Sequence, residues 1–187
     1  MKKYIFIGLA AMVAMTGFFV RFVSLNRQYP SPRVNVAAMG QPLPAGGYKV
    51  TLNRLALEDG SAVQELLPGY VAAYTEDNKI YPAEKEKLLM AELTVEKTSA
   101  SAQALDLTTL AFEAGAWSSH FDAELFMSQN PKLQGLLLDM EVGEPVVLKL
   151  PVVLLEDAFT RPQWKDIGQM DFSVVWSAYP EKYLFTR

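Results

Sequence analysis

The sequence contains no cysteine and only one histidine, His120. Without cysteine there is no disulfide, thiolate metal site, cysteine nucleophile or acylated cysteine of a bacterial lipoprotein. A lone imidazole is also too little for a zinc site. Basic residues are scarce as well. Residues 26–187 keep 14 of the 17 lysines and arginines and all 21 acidic residues, a net charge of −7. An acidic surface of this kind argues against nucleic acid as a partner.

The longest uncharged run is Tyr4–Val20, seventeen residues preceded by two lysines. A membrane-spanning helix needs roughly twenty apolar residues, and Arg21 can extend its aliphatic stem to the far interface. A cleaved signal peptide, the main alternative, has a shorter apolar run and a site of small residues after it. Here the chain continues RFVSLNRQYP. We therefore predict a retained anchor over residues 1–25 that contacts the membrane through residues 4–25.

The orientation of this anchor follows from its leader. Lys2 and Lys3 on one side nearly balance Arg21, Arg27 and Arg33 on the other, so the charge rule alone decides little. A three-residue leader before an apolar run is similar to the start of an export signal. We predict a single-pass protein of the cell membrane with its carboxyl-terminal domain outside.

The remainder divides into a spacer and a domain. Residues 26–44 contain four of the eleven prolines, which favours a semi-rigid extended spacer. An edge strand around residues 34–38 is compatible with that segment. Residues 45–187 are long enough for one extracytoplasmic domain.

Alternating apolar residues predict strands in this domain. The segments are 48–57, 70–74, 88–96, 105–113, 145–155, 171–177 and 183–186. The valine-rich segment 145–155 is typical of a central strand, although Pro151 requires an edge or a bulge. Short helices are predicted after Ser61, as N-cap with Gln64 at the capping-box position, and after Asp122 as N-cap. Seven or eight strands with one or two short helices predict a mainly β, antiparallel sandwich.

Four segments support a family resemblance. They are NRQYPSP (26–32), LLMAELTVEKTSA (88–100), VGEPVVLKLPVVLL (142–155) and SAYPEKYLFTR (177–187). Together they resemble telokin-like, immunoglobulin-type domains of uncharacterised membrane-anchored proteins from Gram-positive bacteria (Firmicutes). The resemblance implies an immunoglobulin-like sandwich behind a transmembrane helix. It implies no catalytic residue.

Residues of catalytic type occur together at Ser118, Ser119, His120 and Asp122. Catalytic triads bring distant segments together, and neighbours on one strand or turn cannot converge in that way. We predict no catalytic residue, no cofactor and no metal site, and hence a protein that is not an enzyme. Acidic clusters at 76–78, 84–86 and 156–157 lack the spacing of a calcium loop. Solvated turns explain them, with weak calcium binding and paired-carboxylate hydrolysis as alternatives.

Aromatic residues supply the candidate binding site. Trp117, Trp164, Tyr70, Tyr74 and Tyr81 could form an exposed patch for a partner, because aromatic side chains concentrate in interface hot spots. Packing in the core is the competing explanation for all five. Trp176, which alternates with Val174, is predicted to lie in the core.

These observations predict a non-enzymatic interaction module with a protein or envelope partner. One alternative is an accessory subunit of a membrane transport complex, with Ala10, Ala14 and Gly17 as a small-residue packing face on the helix. The other alternative is a carboxylate-based envelope hydrolase, which needs two facing acids about 5–10 Å apart.

Overall fold

The computed structural model describes the backbone of residues 2–187 and the side chains of Met12 and residues 15–187. It forms two compact units, residues 1–33 and 34–187. The first unit is helix α1, Lys2–Gln28. No helix among the residues described has the length and apolar character of a membrane span. Much of the predicted anchor, including Ala10 and Ala14 of the small-residue face, lies outside the described side chains.

The second unit is built mainly of strands. They are β1 Arg33–Ala38, β2 Pro42–Ala45, β3 Tyr48–Asp59, β4 Glu86–Lys97, β5 Leu105–Asp106, β6 Ala111–Ala114, β7 Trp117–Ser119, β8 Leu137–Leu138, β9 Pro145–Leu155, β10 Ser173–Ser177 and β11 Glu181–Thr186. The helices of this unit are α2 Ser61–Leu66, α3 Ala123–Gln129 and α4 Arg161–Lys165.

The long strands form two sheets. One has the order β1-β11-β10-β6-β7 and the other β2-β3-β4-β9, while β5 and β8 form a separate two-stranded ribbon. Both large sheets contribute to one core. Leu52, Leu93 and Leu148 come from the four-stranded sheet, and Phe112 and Phe185 from the five-stranded sheet, all fully buried. The prediction of a mainly β sandwich with a few short helices is confirmed.

The β3–β4 pair shows how the sequence pattern sets this core. Tyr48, Val50 and Leu52 alternate inward as predicted. The register then shifts between Leu52 and Arg54, as a β-bulge does, so that Leu55 is the next inward residue. Along β4, both faces carry buried leucine, methionine or alanine side chains because α2 and α3 cover the outer face of the sheet.

Three local predictions are wrong. Residues 70–74 form no strand and make only a single bridge, from Tyr74 to Ile80. The segment 105–113 is interrupted by a 3₁₀ turn, since the Asp106 carboxylate accepts the Thr108 N–H and holds the chain in a local turn. Helix α2 is capped by Gly60 without a side-chain bond, so Ser61 lies inside the helix.

The segment predicted as a spacer also contributes strands. Residues 33–38 form β1 at one end of the five-stranded sheet, and residues 42–45 form β2 at one end of the four-stranded sheet. Gly46 and Gly47 connect β2 to β3 with φ values of 60° and 87°. A two-residue hairpin turn of this kind needs left-handed backbone at both positions, which glycine adopts without strain.

Candidate functional site

Strand β9 forms an edge of the four-stranded sheet. It pairs antiparallel with β4 over its whole length, from Glu86↔Leu155 to Glu96↔Pro145. In such a pair, alternate residues direct their N–H and C=O groups toward the partner strand and away from it. The prediction of a strand at residues 145–155 is confirmed, but the prediction that it lies in the centre of its sheet is wrong. Pro151 lies on an edge strand, as its missing N–H requires.

Helix α3 covers the middle of the β9 edge. Asp122 caps the helix as predicted, with its carboxylate accepting the Leu125 N–H at 2.9 Å. The Asp122 N–H donates to the Pro151 carbonyl at 2.8 Å. At the other end of the helix, the Asn130 amide donates to the Lys149 carbonyl at 2.8 Å and accepts the Lys149 N–H at 3.0 Å. Asn130 thus takes the place of a neighbouring strand at this position.

The beginning of the β9 edge remains open. Since Lys149 and Pro151 direct their backbone groups away from β4, alternation places those of Val147 and Pro145 on the same side. No described residue forms a backbone hydrogen bond with Val147 on that side. Val147 as a whole is 52% exposed.

A groove runs beside this open stretch. It has a volume of about 620 Å³ and lies between the end of α3 and the start of β9. The lining residues are Gln129, Asn130, Pro131, Lys132, Leu133, Pro145, Val146, Val147 and Lys149. Apolar atoms supply most of this lining, and its two charged residues are both lysines.

The charge of the groove lining comes from Lys132 and Lys149. Neither Lys132 nor Lys149 forms an ion pair with any residue whose side chain is described. Glu92 is the register partner of Lys149 on β4, but its carboxylate contacts the Asn53 amide at 3.5 Å. Residues 34–187 hold 12 basic and 21 acidic residues, a net charge of −9, whereas the lining of the groove has two lysines and no carboxylate.

A second cavity, of about 150 Å³, lies near the other end of β9. Tyr70, His120 and Asp122 are among its lining residues. The Tyr70 hydroxyl donates to the Asp122 carboxylate. Burial, and then the negative charge and hydrogen bond of Asp122, raise the pKa of Tyr70 above its usual range.

The polar residues of this cavity do not assemble a triad. His120 Nδ1 lies 2.9 Å from the Leu110 carbonyl, to which it donates. The Ser119 hydroxyl donates to the His120 carbonyl at 3.2 Å. Both oxygens of Asp122 are engaged elsewhere, one with the Leu125 N–H and one with Tyr70. The described residues also contain no group of three or more ionisable side chains arranged to hold a metal ion.

The five aromatic residues of the predicted patch lie in four different environments. Trp117 stacks on Phe159 with ring centroids 5.5 Å apart, and Trp164 contacts the same phenyl ring at 5.9 Å. Both tryptophans are half-buried against the core. Tyr70 is held by Asp122 in the second cavity. Two residues remain, Tyr74, which is 60% exposed, and Tyr81, which is 6% exposed.

Tyr81 was predicted to belong to an exposed patch but is buried. Its hydroxyl has no hydrogen-bond partner among the described residues. Burial, the largest cause, and the nearby negative charge of Asp157 raise its pKa. Of the five, Tyr74 alone has a largely free side chain, beside the exposed Ile80 in a small turn.

Sequence reasoning missed the groove, although one signal for it was present. Two prolines in one strand, Pro145 and Pro151, indicate an edge because neither can donate to a neighbouring strand. Asn130 offered no comparable signal. It is 7% exposed and contacts Lys149, nineteen residues away, so its role depends on the fold.

A family model described as "Domain of unknown function (DUF5028)" matches residues 44–183, most of the chain. The chain belongs to this family. The match confirms the prediction of an uncharacterised family, and none of the comparisons bears the telokin-like or immunoglobulin-type name. No curated protein matches.

Two solved structures are similar to this chain. One is an uncharacterized β-sandwich protein from Clostridium difficile 630, with 12% identity and a TM-score of 0.44, covering 83% of this chain and 95% of that one. The other is a conserved hypothetical protein from Bacillus anthracis, with 11% identity and a TM-score of 0.47, covering 79% of this chain and 93% of that one.

Proposed function

We propose that the chain is a membrane-anchored, non-enzymatic interaction module whose β-sandwich lies outside the cell. In this proposal, the domain binds a segment of a protein partner along the open edge of β9. The observation that carries the proposal is the combination of unpaired backbone groups at Val147 with a groove of about 620 Å³ beside them. Exposed strand edges of this kind accept extended segments as an additional strand.

The anchor is proposed from the uncharged run Tyr4–Val20 and from the surface of α1. Six large apolar residues described on this helix are more than half exposed, while Val23 and Leu25 are less so; the six are Met12, Met15, Phe18, Phe19, Val20 and Phe22. At 3.6 residues per turn they point in several directions around the helix. A helix with apolar residues on most of its circumference favours an apolar environment such as lipid.

An immunoglobulin-type arrangement of the sandwich is also part of the proposal. The strand order supports it, since β4 pairs with β9 in one sheet while the intervening β6 pairs with β10 in the other. Strands that follow β4 thus cross between the sheets and return, as Greek-key connections do.

The hydrolase alternative gains no support from the cavities beside β9. Paired-carboxylate hydrolysis needs two acids that face each other across a cleft. The polar side chains that line the large groove are lysines and amides, and the second cavity has Asp122 as its single carboxylate. That carboxylate caps α3 and accepts the Tyr70 hydroxyl, a structural use.

The binding surface can be tested by site-specific photocrosslinking in intact cells. A photoreactive residue at position 147 should give a discrete protein adduct of constant size. The matched control is position 118, an exposed residue of β7, which is one of the two edge strands of the other sheet. Equal adducts at both positions, or none at 147, would count against the proposed surface.

The orientation has a separate test that uses the absence of native cysteine. Lys79→Cys introduces a single exposed thiol on the domain. A maleimide that does not cross membranes should label this thiol in intact cells as completely as after lysis. Labelling after lysis alone would show that the domain lies inside.

A further inference from the structure

We infer that the groove beside β9 accepts an acidic, extended segment of another protein, which pairs with Val147 as an added strand. This inference rests on the proposed function and adds the chemistry of the partner. It follows from two features of the structure: the backbone groups of β9 that have no hydrogen-bond partner, and the positive charge of the groove lining. The same charge makes a second copy of the chain an unfavourable occupant.

The backbone of β9 limits where pairing occurs. Val147 offers an N–H and a C=O, and Pro145 offers a C=O alone because proline has no N–H. At Lys149 both groups are already bound by Asn130. A residue of the partner placed opposite Val147 therefore exchanges two hydrogen bonds, and a third reaches Pro145. The open stretch takes only about three residues of a strand.

Such a short pairing gives little affinity by itself, so side chains must add to it. The net contribution of each hydrogen bond is small because water competes for the same groups, and the side chains of an added strand supply specificity through the pockets that they enter. Beside Val147, those surfaces are the apolar Leu133 and Val146 and the ammonium groups of Lys132 and Lys149.

The charge of the lining selects the side chains. Both lysines are exposed, and neither forms an ion pair with a described residue. No carboxylate lines the groove. Aspartate or glutamate on the added strand would pair with these ammonium groups, whereas a basic segment would be repelled. Acidic residues flanking an apolar one therefore fit the groove best.

A second copy of the chain fits less well. Pairing of two β9 edges about a twofold axis would place the same surface of each copy against the other. The lysine pairs of the two copies would then lie close together without a carboxylate in the lining to separate them. Like charges across neighbouring strands destabilise the pairing. The groove thus favours a partner of opposite charge.

The experiment is a selection of random octapeptides displayed on phage against the full chain held in nanodiscs. The same peptide selection is carried out in parallel against three variants of the chain. Val147→Pro removes the free N–H on an edge strand, where proline is tolerated. Lys132→Glu/Lys149→Glu reverses the charge of the groove. Lys79→Glu/Lys165→Glu is the matched control, with the same change in charge at exposed lysines outside the groove. Folding of each variant is checked by circular dichroism.

The expected result is enrichment of aspartate and glutamate in the peptides that bind the wild type and the control variant. The affinity of a selected peptide should fall about tenfold in the charge-reversed groove, because two exposed ion pairs become repulsive contacts. Val147→Pro should weaken it as well, while Val147→Thr, which keeps the N–H, should not. Peptide binding should slow the hydrogen exchange of the Val147 amide.

Other outcomes overturn the inference. Selection of neutral or basic peptides would show that the partner is not acidic. Unchanged peptide affinity in Val147→Pro would show that the peptide does not bind as an added strand. Concentration-dependent dimers of the wild type that Val147→Pro abolishes identify a second copy as the occupant. If no acidic peptide is selected while the crosslink at position 147 persists in cells, the inference fails and the proposed function stands. If no acidic peptide is selected and the crosslink at position 147 is also absent, both the inference and the proposed function fail.

Discussion

The two edges of the four-stranded sheet are protected in different ways. At β2, Pro42 and Pro44 occupy alternate positions, so this edge lacks N–H donors where a neighbouring strand would need them. At β9, the protection comes from other parts of the chain. Asn130 and the Asp122 backbone bind the edge at Lys149 and Pro151 and leave Val147 open. The first device removes the N–H donors of an edge, whereas the second leaves both a donor and an acceptor free at Val147.

The largest expected effect comes from removing the contact that holds α3 against the sandwich. Phe126 is fully buried, with its ring centroid 4.9 Å from that of Phe121. Phe126→Ala should lower the free energy of unfolding by about 3–5 kcal/mol, through lost burial and a cavity. Met127→Ala, at an exposed neighbour on the same helix, is the control and should cost less than about 1 kcal/mol. Urea unfolding of the full chain in detergent measures both, and equal losses would show that α3 is not anchored by Phe126.

The next effect comes from opening the covered part of β9 directly. Asn130→Ala removes side-chain hydrogen bonds to Phe126 and Lys149 and leaves the part-buried N–H and C=O of Lys149 without a partner. We expect a loss of about 2–3 kcal/mol in the free energy of unfolding. The control is Asn53→Ala, an exposed asparagine on the same sheet that bonds to Thr94. The hydrogen exchange of the Lys149 amide should also accelerate in Asn130→Ala, and unchanged exchange would contradict the role of Asn130.

The start of α3 provides a test through pH. The pKa of Tyr70 is raised in the folded chain by burial and by Asp122, so the folded state retains this proton to higher pH than the unfolded state. Its contribution to stability is fully present below the unfolded pKa of about 10 and is lost as pH rises above that value. The difference in unfolding free energy between wild type and Tyr70→Phe should therefore shrink between pH 9 and pH 11.

A second substitution identifies the source of that dependence. In an Asp122→Asn background the shrinkage should be smaller, because the carboxylate that disfavours the ionised phenol is gone while an N-cap oxygen is kept. A difference that is constant from pH 9 to pH 11 in the native background would show that Tyr70 is not coupled to folding in this way.

The smallest effect on stability comes from β2, and it tests directly whether prolines protect this edge of the sheet. Pro42→Ala/Pro44→Ala restores two N–H groups on an edge strand and should change the free energy of unfolding by less than about 1 kcal/mol. Self-association at high concentration should increase, since an open edge pairs with other strands. Sedimentation velocity measures this, with Pro30→Ala/Pro32→Ala before β1 as the control. A monomer at every concentration would show that the prolines do not protect this edge.

Much of the sandwich could be predicted from local patterns. The alternation of Tyr48, Val50 and Leu52 predicted the inward face of β3, and Trp176 lies in the core as predicted. Asp122 caps its helix as a residue with a short carboxylate does. The prediction of a strand at residues 70–74 is wrong, because an apolar run forms a strand only where another strand is available to pair with it. Among the candidate site residues, Tyr81 is buried by contacts that no local pattern contains.

Local sequence patterns were enough to predict the long strands β3, β4 and β9, Gly46 and Gly47 mark the turn before β3, and the composition excludes cysteine chemistry. These features depend on side-chain periodicity, backbone preference and composition, which act over a few residues. The edge position of β9, its cover by Asn130 and the two lysines beside its open end become visible only in the folded chain. An edge is defined by the neighbours that a strand lacks, and those neighbours are distant in the chain.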